Sequence, residues 1–227
     1  MTSPLTIDDD LVRWSVEPDR VDDALAEQPL LVLMHGYGSF EGDLISLVPR
    51  LPAEFLCASP RAPLTAPEPV QNGYAWWAPA AGPGQPSEQE AQLAVQAVLD
   101  WLDRLSARAT GPLGRIVLVG FSQGGAMVTQ LFRAAPERFA AGAVLSGFVA
   151  PYTGDGDAAL AQRRAPLFLG YDLDDPIVPA ERLRATHAFL EAHFDLEAHR
   201  YPGVGHGVSA EEVDELADFL RARVLAA

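Results

Sequence analysis

A chain of 227 residues, 48% of them hydrophobic, with its glycines and prolines scattered, is long enough for one domain around one core and has no disordered composition. The formal net charge of −15 comes from 31 acidic residues against 16 basic ones, all of them arginine. Such a surface repels phosphate backbones and anionic lipid, which argues against nucleic acid or a membrane surface as the main partner.

Taken in chain order, residues 11–16 alternate apolar and polar side chains and predict an antiparallel edge strand. Short apolar runs at 30–34, 54–58, 115–121, 142–146 and 166–170 predict strands buried on both faces, and 195–201 a half-buried one. Helical periodicity covers 42–51, 87–108, 123–135, 180–194 and 209–224. This alternation predicts an α/β fold with a mostly parallel sheet and helices on both faces. The proline-rich stretch 59–85 reads as a long loop, inside which Tyr74-Ala75-Trp76-Trp77 is either a plug packed onto the body or a wall of a pocket. Cys57, the only cysteine, allows no intrachain disulfide, and its neighbours Phe55, Leu56 and Ala58 predict a buried thiol. No apolar run approaches the roughly 18 residues of a membrane span, and Met1 to Asp10 has neither the basic start nor the apolar core of a leader, so the expected location is cytoplasmic.

Gly120-Phe121-Ser122-Gln123-Gly124 matches G-x-S-x-G where a strand gives way to a helix. A serine on so sharp a turn exposes its oxygen, and small residues two before and two after let strand and helix approach. The alternative is an ordinary turn with Ser122 capping the helix. An unactivated hydroxyl is a poor nucleophile, so a histidine must serve as its base. Around such a turn the chain order runs nucleophile, acid, base. His187 and His193 fall in a predicted helix and His199 in a strand, which makes them surface or packing residues, whereas Gly203-Val204-Gly205-His206-Gly207 places His206 in a turn between the last strand and the last helix. Among Asp172, Asp174 and Asp175, Asp175 is the expected acid, because Pro176 fixes the backbone after it; the other two are expected to be solvated turn residues. His35-Gly36-Tyr37-Gly38 ends the strand 30–34, so the amide N–H groups of Tyr37 and Gln123 are the expected oxyanion donors, with His35 structural.

Together, His35-Gly36, Gly120 to Gly125, Asp175-Pro176-Ile177-Val178-Pro179 and Gly205-His206 resemble the phospholipase/carboxylesterase family of α/β-hydrolases, which includes the acyl-protein thioesterases, over about residues 30 to 225. The resemblance implies a compact α/β-hydrolase fold with little lid, the oxyanion pair Tyr37 and Gln123, and an aromatic segment near an acyl pocket, here residues 73–77. Two departures stand out: Tyr171-Asp172 replaces a usual His-Gly before the acid, and Ser39-Phe40-Glu41-Gly42 replaces an Asp-rich turn. The expected chemistry is hydrolysis of small carboxylic esters or thioesters through an acyl-enzyme, with no metal or organic cofactor and with Trp76, Trp77, Phe148 and Ile177 lining a pocket for short to medium acyl chains. The alternatives are a non-catalytic binding protein on the same fold, or another hydrolytic class such as a peptidase or lactone hydrolase.

Overall fold

The computed structural model describes residues 4–78, 87–109, 113–152 and 154–226. Nine strands occur, β1 (Arg13–Trp14), β2 (Leu30–Met34), β3 (Leu56–Ser59), β4 (Leu64–Thr65), β5 (Tyr74–Ala75), β6 (Ile116–Phe121), β7 (Ala141–Leu145), β8 (Pro166–Tyr171) and β9 (Asp195–Arg200), among the described residues. The helices there are α1 (Val21–Glu27), α2 (Glu88–Arg108), α3 (Gln123–Ala134), α4 (Asp157–Arg163), α5 (Ala180–His193) and α6 (Ala210–Leu220). Seven strands form one sheet in the order β1-β3-β2-β6-β7-β8-β9. Every neighbouring pair is parallel except β1 with β3, where Arg13 lies opposite Ser59 and Trp14 opposite Ala58.

The period of two along each strand divides the core between the two faces. From β2 and β6, Leu30, Val32, Met34, Ile116 and Leu118 point to a layer that includes Trp101 of α2, Phe132 of α3 and Leu190 of α5. Leu31, Leu33, Val117 and Val119 point the other way, onto Val213, Leu216 and Phe219 of α6. Both faces are therefore covered, and β2, β3 and β7 are buried at every position, as continuous apolar runs require.

Several elements differ from expectation. The antiparallel edge strand shrinks to two residues, because Asp8 accepts from the Asp10 amide and starts a 3₁₀ turn at Asp9–Leu11. The expected helix at 42–51 is a 3₁₀ run, Leu44–Arg50; Pro49 inside it cannot donate the hydrogen bond that an α-helix needs. Within 59–78 the loop holds the small β4–β5 ladder, while residues 79–86 lie outside the described residues. Helices α1 and α4, of seven residues each, were not expected; they are too short for a clear period. The last helix is regular to Leu220 and ends in a π-helical turn, Arg221–Leu225.

Candidate active site

At the carboxyl end of β6 the backbone turns sharply, and Ser122 takes φ 52° and ψ −112°. A non-glycine residue is held there only when its surroundings over-determine it. The cause is local: a Cβ on Gly120 would stand 2.1 Å from the Gly124 carbonyl, and one on Gly124 only 1.9 Å from that of Met34. Bare glycines thus let α3 press against β2 and β6. Ser122 makes no side-chain cap to the helix, so its hydroxyl is not used for capping.

The hydroxyl meets His206, whose Nε2 lies 3.0 Å from Oγ of Ser122. The other ring nitrogen, Nδ1, is 2.7 Å from Oδ2 of Asp175. An ionised carboxylate only accepts, so Nδ1 carries the proton and Nε2 is left to accept from the serine. Asp175 is itself fixed: Oδ1 accepts the amides of Ile177 at 2.7 Å and Val178 at 2.9 Å, and its side chain has no exposed surface. The Phe121 ring packs against the imidazole with centroids 5.0 Å apart. The other histidines are engaged elsewhere, His199 between Glu197 and Glu215, His193 on the Phe189 carbonyl and His187 edge-on to Tyr171.

Asp172 departs from its expected role as a solvated turn residue. It is 1% exposed, and its Oδ2 accepts the amides of Gly203 at 2.8 Å and Gly205 at 3.0 Å while Oδ1 accepts that of Asp174 at 3.1 Å. These N–H groups, that of Gly205 foremost, hold the carboxyl below the usual range. Asp174 does stay exposed, with Arg200 3.6 Å away. Sequence reasoning missed Asp172, because nothing along the chain sets it apart from Asp174 and Asp175 and the glycine loop that it anchors begins about 31 residues later. Ser146, at φ 46°, also reaches that loop, donating to the Gly207 carbonyl at 3.0 Å.

Facing the serine, residues 35–42 leave the end of β2. Ala62 N–H donates to Nε2 of His35, so the His35 proton sits on Nδ1, 2.8 Å from the Gly36 carbonyl. Burial pushes this imidazole's pKa down and keeps it neutral. Gly38 and Ser39 pair with Tyr74. Arg61 holds Glu41 through two bonds of 2.7 and 2.6 Å and lies 4.4 Å above the Tyr74 ring. Gln123 is the first residue of α3, so its amide has no acceptor within the helix. The Tyr37 amide donates to no backbone carbonyl among the described residues.

Of the four residues expected to line an acyl pocket, only Ile177 presents surface, at 50% exposure. Trp76 and Trp77 have none, and Phe148 is 2% exposed beneath the Arg182 guanidinium. The aromatic segment is therefore a plug in this conformation: Trp76 Nε1 donates to the His35 carbonyl, and the Gln123 side chain bonds both tryptophan backbones. Phe40, 49% exposed, is the other large apolar side chain left open among the described residues. Among the described residues, no group of three or more His, Cys, Asp or Glu side chains is arranged to hold a metal ion, and no helix is long and apolar enough to cross a membrane.

A mostly parallel sheet with a strained serine turn at the end of a central strand defines an α/β-hydrolase fold. More narrowly, the chain belongs to the phospholipase/carboxylesterase family, whose model matches residues 20–224. Carboxylesterase SOBER1 of Arabidopsis thaliana is 31% identical over 145 residues, 62% of this chain and 63% of that protein. Acyl-protein thioesterase 1 of Gibberella zeae is 35% identical over 111 residues, 47% of each. The matched segment thus spans about half to two thirds of these relatives. Among solved structures, a Bacillus cereus carboxylesterase superposes with a TM-score of 0.77 at 19% identity over 93% of both chains, and Arabidopsis thaliana SOBER1 with 0.72 at 24% identity over 87% of this chain and 99% of that one.

Proposed function

We propose that the protein is a serine hydrolase that cleaves carboxylic esters or thioesters, with Ser122 as nucleophile, His206 as general base and acid, and Asp175 holding the imidazole. The observation that carries this reading is the continuous chain Asp175, His206, Ser122, with contacts of 2.7 and 3.0 Å. Ser122 attacks the acyl carbonyl as His206 takes its proton; His206 then protonates the leaving alkoxide or thiolate, and the same imidazole activates water to release the acid. The amides of Tyr37 and Gln123 stabilise the oxyanion, each contributing about 2.7 to 4 kcal/mol by analogy with measured donor deletions. Family membership, the SOBER1 carboxylesterase and the acyl-protein thioesterase support the choice of bond.

Ile177, two residues after the acid, offers its surface to the acyl chain, and Trp76 and Trp77, bound through their backbones to the Gln123 side chain, back the residue next to Ser122. The substrate is a small acyl ester or thioester of short to medium chain. The test is hydrolysis of nitrophenyl esters and matched thioesters of graded chain length by the wild-type protein and Ser122→Ala. Turnover that disappears in the variant is the expected result; full activity in the variant, or none in the wild type with a serine inert to fluorophosphonate, contradicts the reading and leaves a binding protein on this fold.

A further inference from the structure

His206 stands on a loop that cannot hold itself. Residues 201–209 join β9 to α6, glycine occupies positions 203, 205 and 207, and Gly203 and Gly205 adopt φ of +88° and +65°. Glycine at such angles is free to leave them, because no Cβ restricts the alternatives. Within the loop the backbone contributes one long bond, Val204 N–H to the Tyr201 carbonyl at 3.3 Å. Yet the imidazole must sit within hydrogen-bond reach of two partners at once.

The residues flanking His206 are bound from outside the loop. On the preceding side, the Gly205 amide donates to Oδ2 of Asp172, which also receives the Gly203 amide. On the following side, the Gly207 carbonyl accepts from Ser146. The two anchors come from the ends of adjacent parallel strands, Asp172 just past β8 and Ser146 just past β7. Both are almost without exposed surface, at 1% and 2%, so water competes poorly for these bonds. Two N–H groups on one ionised oxygen form charge-assisted bonds, about twice as strong as neutral ones.

We propose that Asp172 and Ser146 form a clamp that grips the backbone on either side of His206 and thereby fixes its Nε2 against Ser122; both are positioning residues, not catalytic ones. The inference rests on the triad reading given above. Neither side chain reaches the reacting atoms: the clamp sets the angle and distance at which the base meets the nucleophile. A misplacement of about 1 Å in such a contact costs on the order of a hundredfold in rate.

The experiment compares Asp172→Ala, Asp172→Asn, Ser146→Ala and His206→Ala with the wild-type protein on a nitrophenyl ester, well below each variant's unfolding temperature. Turnover is expressed per reactive serine, counted by fluorophosphonate titration. A merely structural role lowers the titrated fraction and the melting temperature but leaves kcat per titrated site at the wild-type value. The clamp instead predicts a fall in kcat of about ten- to a hundredfold for Asp172→Ala, with KM nearly unchanged, since the substrate contacts stay in place. Asp172→Asn keeps one acceptor oxygen without the charge and should recover part of that loss; Ser146→Ala should lose less than Asp172→Ala. Wild-type kcat per site in both Asp172→Ala and Ser146→Ala overturns the clamp. Should Asp172→Ala not fold, wild-type kcat in both Asp172→Asn and Ser146→Ala overturns it equally. His206→Ala separates the two levels: if it retains full turnover, the triad reading fails and the clamp with it, whereas its inactivity beside fully active clamp variants removes the clamp alone.

Discussion

Oε1 of Gln123 accepts the Trp76 amide at 2.9 Å, joining the residue after the strained serine to a segment 47 positions earlier. The same side chain donates through Nε2 to the Trp77 carbonyl at 3.0 Å. Gln123→Ala would leave a buried donor and a buried acceptor without partners, at about 1 to 3 kcal/mol each. A loss of about 2 to 6 kcal/mol in urea unfolding is expected, with the slope unchanged. Wild-type stability would show that these two bonds are replaced by water or by relaxation.

At the elbow, Gly120→Ala and Gly124→Ala each drive a methyl group into backbone, at 2.1 Å from the Gly124 carbonyl and 1.9 Å from the Met34 carbonyl. Backbone where the first turn of α3 presses on the end of β2 cannot step aside as a flexible side chain would. Each variant should lose more than about 3 kcal/mol or fail to accumulate as soluble protein. Thermal unfolding within a degree or two of wild type would contradict the close approach.

The Arg61–Glu41 pair joins the loop carrying Tyr37 to the turn after β3, with Glu41 3% exposed. Arg61→Ala strands a buried carboxylate, costing about 1 to 3 kcal/mol because the arginine end is partly open to water. Arg61→Lys should rescue only in part, since one ammonium cannot match two carboxylate oxygens. The arginine depresses the Glu41 pKa, so this contribution is present above the ordinary glutamate value and is lost as pH falls through the lowered one. Acid titrations of unfolding stability for wild type and Glu41→Gln should differ in that window and run parallel above it.

Glu212 behaves in the opposite sense. Burial raises its pKa from 4.5 to about 7, and Oε1, packed against Gly170, has no hydrogen-bond partner among the described residues. The folded protein therefore holds a proton here that the unfolded chain releases near 4.5, and the resulting stability is lost as pH rises from there through about 7. At pH 8 the ionised carboxylate costs on the order of 3 kcal/mol. Glu212→Gln keeps the cap on Ser209 and carries no charge. It should match wild type near pH 4 and exceed it near pH 8 by up to that amount in denaturant unfolding; equal stability at both pH values would exclude the effect.

Burial pushes the Cys57 thiol up to about 12. Thiolate is the reactive species, so the native protein should resist an aromatic disulfide reagent at pH 8 and react fully in denaturant. Rapid stoichiometric labelling of the folded protein would contradict the buried environment.

The parallel sheet and its flanking helices were legible because a fully covered strand must be apolar at every position and a half-covered helix must repeat near 3.6 residues. Where Pro49 interrupts that logic, the expected helix became a 3₁₀ run. Ser122, Asp175 and His206 could be chosen from the order of a small-residue turn, an Asp-Pro turn and a glycine-flanked histidine. Asp172 could not, because three carboxylates within four residues look alike until the strand order shows which one faces the loop after β9. The aromatic segment was ambiguous for the same reason: Tyr74-Ala75-Trp76-Trp77 has the composition of a pocket wall, and its two buried indoles show it acting as a plug.

By itself the sequence determined what depends on neighbours along the chain: side-chain periodicity, the room that glycine leaves at positions 120 and 124, and an arginine-only acidic surface. The tertiary structure alone decided which distant groups meet. Asp172 reaches amides 31 and 33 residues later, and the side chain of Gln123 reaches back to Trp76. Such partners follow from the order in which strands assemble into the sheet, and that order is fixed by the burial of both faces together, a property that no local stretch of residues carries.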